Sequence, residues 1–328
     1  MSFCDACAPK PLAYQIEFTN SDNQSHIPII VRHLDSKGML LNHDSTSILM
    51  KEEAVKGLYD YCADHLDLEA IRFRIKAATW KPINEVFDSL ENRWIDTVIN
   101  DELVHFHYQP IIDGDKKVYA YEMLARFTGE KGEPVSPYEA FKSARSRNRT
   151  YALDKVCRIN AVKNASVVSE KVFINFIPTS IYSPEHCLKT TVALAHNMGI
   201  APSRLVFEVV ETEKVTDMDH LKRILNYYRE KGFSYALDDV GEGYNTIDTI
   251  RELKPHYMKL DMKFVQGVAN DQIKQQAALS ILEAAQSVNS IALAEGIEEP
   301  EDFEWLKAAG FELFQGYLFG KPAPIKAS

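Results

Sequence analysis

A chain of 328 residues, 45% of them hydrophobic and with a formal net charge of −10, can bury a full core, and its length suits one large domain with an appendage. The acidic balance disfavours attraction to a nucleic acid polymer. No apolar run approaches the ~20 residues that cross a bilayer, and the opening "MSFCDACAPK" lacks the apolar core of a signal peptide.

Five irregularly spaced cysteines are too few for a disulfide framework, which points to a reducing compartment. The chain therefore reads as cytoplasmic, with no membrane partner.

In chain order, residues 1–88 predict a small N-terminal α+β segment, regulatory or zinc-binding. "IPIIVRHL" reads as an apolar strand, "DSKG" as a turn, and about Lys51 to His65 as a helix. So short a segment has a thin core and gains from a metal or from packing. Cys4 and Cys7 in "CDAC", with Cys62 and His65 in "CADH", would supply the ligands of a Cys₃His zinc site. The competing account makes them unrelated thiols and a surface histidine.

Residues 89–328 carry a different rhythm. Short apolar strands, "LVHFHYQPII", "VYAYEMLARF", "KVFINFIP", "RLVFEVVE", "FSYALDDVG", "YMKLDM", "SIALAEGI" and "LFQGYLFG", alternate with longer helical patterns. Leu221, Ile224, Leu225 and Tyr228 mark one helix face, and Ala278, Ile281, Leu282 and Ala285 another. Eight such repeats predict an α/β fold, a TIM-like (β/α)8 barrel. The rival doubly wound sheet usually has a glycine-rich phosphate turn after its first strand, and none is present.

Polar residues fall in step with the repeat. Glu122, Asn175, Glu208, Asp238, Lys259 and Glu295 each sit inside or at the C-terminal side of a different strand, where barrel enzymes gather their catalytic groups. Any one alone reads as a cap or a solvated charge; six in step do not. Carboxylates with one amide oxygen form a hard ligand set suited to Mg²⁺ or Mn²⁺. Asp238 and the adjacent Asp239 can share one mouth only if the chain turns, which Gly241 and Gly243 make easy. Two cations there would suit phosphodiester hydrolysis.

Two other barrel chemistries compete. His105 and His107 on one strand face resemble the first metal pair of amidohydrolases, but later strand ends offer Glu208, Asp238 and Glu295 where that family needs histidines and a final Asp. Lys259 could form a Schiff base, yet the acids around it would hold it charged.

The ordered set "YQPI", "YEMLARF", "INFIP", "FEVVETE", "LDDVGEGYNT", "YMKLD", "AEGIE" and "QGYLFGKP", over roughly residues 95–325, resembles the EAL phosphodiesterases, which cleave the bacterial second messenger cyclic di-GMP. The resemblance implies a barrel with its first strand antiparallel, a homodimer through the barrel, and cyclic di-GMP as partner. Glu122 matches the signature Glu, with Met123 in place of Ala. Asn175, Glu208 and Asp238 match first-metal ligands, and Asp239 the second metal's carboxylate. Lys259 matches the lysine that positions the attacking water, and Glu295 the general base or a ligand through water. Gln109, Arg126 and Gln315 match substrate contacts; Glu211 matches the brace of the loop after Asp239, and Glu298 the last acid of "AEGIE". Val240, Glu242, Asn245 and Thr246 depart from the family's loop, Val210 replaces its usual Thr, and His256 stands where many members have Asp. The implied product is linear pGpG; a receptor that binds without cutting is the alternative.

Overall fold

The structure, a computed structural model, describes residues 11–210, 217–238 and 247–325. It divides into two compact units, Met1–Leu103 with Phe127–Leu153, and Val104–Arg126 with Asp154–Ser328.

The first unit holds strands β1 (Ala13–Phe18), β2 (Leu40–His43), β3 (Ser47–Lys51), β4 (Ile71–Ile75) and β5 (Lys81–Pro82), in the order β2-β3-β1-β4-β5. Period-two alternation sets its faces. Tyr14, Ile16 and Phe18 of β1 and Ile71, Phe73 and Ile75 of β4 are buried in one apolar cluster. On the opposite face Arg72 pairs with Glu17, Arg74 donates to Gln15 (2.9 Å), and both guanidiniums lie over Trp80.

"IPIIVRHL", expected as a strand, is a helix, Ile27–Ser36. Pro28 in its first turn suits a helix start, and Ile27, Ile30 and Leu34 fall at helical spacing on the buried side. Gly38, at φ 64°, follows its end. The helix expected over about Lys51 to His65 runs Val55–His65, led by a 3-10 turn from Glu52, and buries Val55, Leu58 and Cys62 in the same cluster.

The same unit encloses a charged knot. Arg147, fully buried, donates to both oxygens of Glu52 (2.8 and 3.1 Å), to Asp96 (2.5 Å) and to the Ser89 carbonyl (2.6 Å). Arg149 shares Asp96.

The barrel strands are β6 (Val104–Asp113), β7 (Val118–Thr128), β9 (Lys171–Phe176), β10 (Leu205–Val209), β11 (Ser234–Leu237), β12 (Tyr257–Leu260), β13 (Ile291–Ala294) and β14 (Leu313–Gln315); a short β8 (Pro134–Val135) pairs with the end of β7. All eight coincide with predicted strands. β7 and β9 to β14 pair in parallel in that order, β14 pairs antiparallel with β6, and β6 with β7 closes the barrel. The antiparallel first strand implied by the family resemblance is therefore present.

Outward-facing side chains of the strands pack on the helices. Phe207 stacks on Tyr228 of the helix Met218–Glu230 with ring centroids 4.1 Å apart. Met123 likewise faces this outer core, away from Glu122. Inside the barrel each strand contributes one member to a second apolar layer: Ile111, Ala120, Phe173, Val206, Ala236, Tyr257, Leu293 and Leu313.

Candidate active site

Because side chains alternate faces along a strand, the residue two positions beyond each member of that apolar layer also points inward. Counting toward the C-terminal mouth on the seven parallel strands, and backward on the antiparallel β6, gives Glu122, Asn175, Glu208, Asp238, Lys259, Glu295, Gln315 and Gln109. The polar residues thus form one ring resting on an apolar floor. The pairing register sets neighbours across it, with Glu208 opposite Asn175 and Gln315 opposite Ile111.

Lys259 stands at its centre, 1% exposed. Its ammonium contacts Glu208 and Glu295 closely and lies 3.6 Å from Asp238 and 3.9 Å from Glu122. Burial opposes the charge, but Asp238, Glu122 and Glu208 outweigh it and hold the lysine protonated well above its ordinary range. This is the state expected of it, and it opposes Schiff-base chemistry.

Glu122 is fixed from both sides. Asn175 Nδ2 donates to its Oε1 (3.0 Å) and Gln315 Nε2 to its Oε2 (2.6 Å). Burial works to raise its carboxyl, while Lys259, these two hydrogen bonds and Arg126 bring it below the usual value. Gln315 also donates to Gln109 (3.1 Å), which in turn donates to the Gly320 carbonyl (3.3 Å). Arg126, half-buried, donates to the Ala125 carbonyl.

Among the described residues four carboxylates lie within 3.9 Å of the Lys259 ammonium, three more negative charges than that group balances when all are ionised. Burial pushes Glu208 well up, with Lys259 opposing and Glu122 and Asp238 adding to the rise. Its Oε2 is buried without a hydrogen-bond partner among the described residues. Ligand atoms of Glu208, Asp238 and Glu295 lie within 4.8 Å of one another. A buried acceptor lacking a donor, in an oxygen-rich cluster short of positive charge, fits a hard divalent cation.

Other predicted residues fall elsewhere. Asp239, Glu211, Val240, Glu242, Asn245, Thr246, Cys4 and Cys7 lie outside the described residues. Glu298 is exposed and accepts from Gln266 (3.4 Å). Cys62 is a fully buried free thiol, pushed up to about 12 by burial, and His65 is exposed. His105 and His107 sit with ring centroids 5.9 Å apart on β6, and burial, Arg126 and His105 lower His107.

Backbone fit around the ring was not anticipated from sequence. A Cβ on Gly316, next to Gln315, would lie 2.0 Å from the Ile297 carbonyl oxygen. Gly296, next to Glu295, has φ 67°, and a Cβ there would lie 2.3 Å from Met262 Cβ. Both glycines occur in quoted motifs, "QGYLFGKP" and "AEGIE", but a motif does not state which backbone they touch.

An eight-stranded mixed α/β barrel with a metal-competent, lysine-centred acidic ring at its mouth defines the class of protein. The EAL domain family matches residues 91–322, and the chain belongs to it. It is 27% identical over 236 residues to the cyclic di-GMP phosphodiesterase PdeF of Escherichia coli (strain K12), covering 69% of this chain and 31% of that protein. The cyclic di-GMP phosphodiesterase NbdA of Pseudomonas aeruginosa is 28% identical over 236 residues, covering 70% and 30%. The chain thus spans about a third of the length of these curated relatives.

Among solved structures, a standalone EAL protein from Vibrio cholerae O395 in its cyclic di-GMP-bound form is 34% identical (TM-score 0.60), covering 67% of this chain and 92% of that one. The fold of the Klebsiella pneumoniae BlrP1 calcium/cyclic di-GMP complex, 20% identical with a TM-score of 0.60, covers 95% of this chain and 96% of that one.

Proposed function

We propose that the barrel hydrolyses cyclic di-GMP to linear pGpG with Mg²⁺ or Mn²⁺ at two sites. The observation that carries this reading is the ring of eight polar residues with its unbalanced acids around Lys259. Glu122, Asn175, Glu208 and Asp238 would hold the first cation, and Asp238 with Asp239 the second. When bound, these ions supply positive charge to the phosphate and acidify a water.

The chain's own residues do the rest. Gln109, Arg126 and Gln315 bind the dinucleotide, and the planar fork of Arg126 suits a phosphodiester. Lys259, held by Glu208 and Glu295, orients the attacking water, and Glu295 accepts its proton. The water oxygen bonds to phosphorus as the P–O3′ bond breaks, the departing 3′ oxygen takes a proton from solvent to become the hydroxyl of pGpG, and Glu295 returns its proton to solvent. Glu211 and Glu298 brace the loop after Asp239.

Among the described residues no helix is long and apolar enough to cross a membrane, which supports the cytoplasmic reading. A homodimer through the barrel belongs to the same proposal, as does a regulatory or zinc-binding role for the N-terminal segment. The buried thiol of Cys62 supports a core packing role for that residue over zinc ligation.

Incubation with cyclic di-GMP and Mn²⁺ tests the reading. Linear pGpG is expected from the wild type and none from Glu122→Ala; unchanged turnover in that variant would sink the assignment. The altered loop at Val240 and Glu242 favours a second reading, a receptor, and tight binding without product would establish it.

A further inference from the structure

Asp154 is a buried carboxylate that the ring does not use. It lies in the helix Thr150–Asn164, is 2% exposed, and an unpaired anion at that depth would be costly. Among the described residues, the Ile177 backbone N–H donates to its Oδ1 (2.9 Å), the Ser180 hydroxyl donates to Oδ2 (2.6 Å), and Arg158 Nη2 lies 3.5 Å from Oδ2. Arg158 is itself 2% exposed, and its Nη1 donates to the buried Thr191 hydroxyl (2.5 Å).

What Ile177 and Ser180 have in common is that they follow Asn175 where the chain leaves the sheet. β9 ends at Phe176, and the chain leaves the sheet through the 3-10 turn Pro178–Ser180. One oxygen of Asp154 grips the residue before that turn and the other grips its last residue. Asn175 lies two residues before Ile177 and must present its amide to Glu122 at 3.0 Å. A strand end that is free to shift would change that distance, because the pairing of β9 with β7 runs only to Ile174 and beyond it the strand is paired on the β10 side, through Asn175 and Phe176.

We infer that Asp154 is a positioning residue: by clamping Ile177 and Ser180 it fixes the exit of β9 and thereby holds Asn175 in the ring. The inference rests on the proposed role of Asn175 as a cation ligand. Groups that orient a ligand from behind typically change metal affinity by about 10–100-fold when replaced. Asparagine at 154 keeps the shape but presents an amide NH₂ to Ser180 or to Ile177, and removes the negative charge facing Arg158.

The test uses the full chain carrying Asp154→Asn and, as a milder change, Ser180→Ala. Mn²⁺ affinity is read by electron paramagnetic resonance without substrate, and folding by circular dichroism. D154N should weaken Mn²⁺ binding by about tenfold or more, S180A by less, and turnover of D154N should recover as Mn²⁺ is raised. In an Asn175→Ala background, D154N should add no more than about a twofold further loss.

Unchanged Mn²⁺ affinity in folded D154N overturns the inference, as do losses from D154N and N175A that multiply. If D154N fails to fold, wild-type affinity in folded S180A overturns it equally. A wild-type chain that binds no Mn²⁺ and leaves cyclic di-GMP intact overturns the proposed function itself. Wild-type turnover with an insensitive D154N overturns only the role given to Asp154.

Discussion

Replacing Lys259 with methionine tests the charge arithmetic of the ring. The ammonium is 1% exposed and is the cation shared by Glu122, Glu208, Asp238 and Glu295. Methionine keeps an unbranched stem of similar length, so the change removes charge with little change in packing. Breaking a buried ion pair by deleting one partner costs about 3–5 kcal/mol, because the other partner is left uncompensated. In a unit of roughly 200 residues each kcal/mol moves the thermal midpoint by about 2–4 °C. The cation-free variant should therefore melt roughly 10 °C lower than the wild type.

Added Mn²⁺ should reverse the ranking of the responses. Losing the lysine leaves the four carboxylates around it with no ammonium to share, so the variant's midpoint should climb further on Mn²⁺ addition than the wild type's. Ligand that binds only the folded state stabilises it by RT ln(1 + [L]/Kd), so tighter binding at one Mn²⁺ concentration gives the larger rise. Turnover should still fall by about 10² or more, since the group proposed to orient the water is gone. Calorimetric melts in EDTA and in Mn²⁺, with pGpG formation measured in parallel, check all three. An unchanged midpoint in EDTA, or a smaller Mn²⁺ response than the wild type's, would refute the reasoning.

Two further outcomes concern packing and pH. Gly316→Ala should destabilise by at least the ~1–3 kcal/mol of an overpacked core, because its methyl meets the Ile297 backbone and not a movable side chain; a urea midpoint equal to the wild type's would contradict that contact. In the N-terminal unit, burial raises Cys62 from 9.0 to about 12, and raises Tyr14 from 10.0 to about 12 despite its hydrogen bond to Ser89. The folded state thus keeps two protons that the unfolded chain releases, so stability is full below pH 9 and declines toward pH 12. Urea midpoints taken between pH 8 and 11 should fall, less steeply in Cys62→Ala and Tyr14→Phe, and a flat wild-type profile would exclude the effect.

The barrel and its ring are legible in sequence for one physical reason. A buried strand is an apolar run, so a Glu, Asn or Lys inside it breaks the pattern conspicuously, and six breaks in step point to one mouth; Gln109 and Gln315 entered through family resemblance. Strand direction is not legible that way, because alternation reads the same in both senses; the antiparallel β6 entered through family resemblance alone. "IPIIVRHL" misleads for a related reason. Its β-branched residues favour a strand, and the helical spacing of Ile27, Ile30 and Leu34 prevails once packing against the sheet is counted.

Arg147, Asp154 and Arg158 show the opposite failure. Each is a charged residue beside or within a helix, where charge ordinarily marks the solvated side, yet all three are buried. Arg147 is satisfied by Glu52, 95 residues away, and Asp154 by Ile177 and Ser180, 23 and 26 residues away. Nothing local distinguishes such a residue from a surface one, because its environment is set by a distant partner. Residues proposed to hold the cations and substrate disturb an apolar pattern and stand out, whereas residues proposed to hold those in place look like ordinary surface. The supporting shell of this site is therefore the part that only three-dimensional structure reveals, and Asp154 is its most direct test.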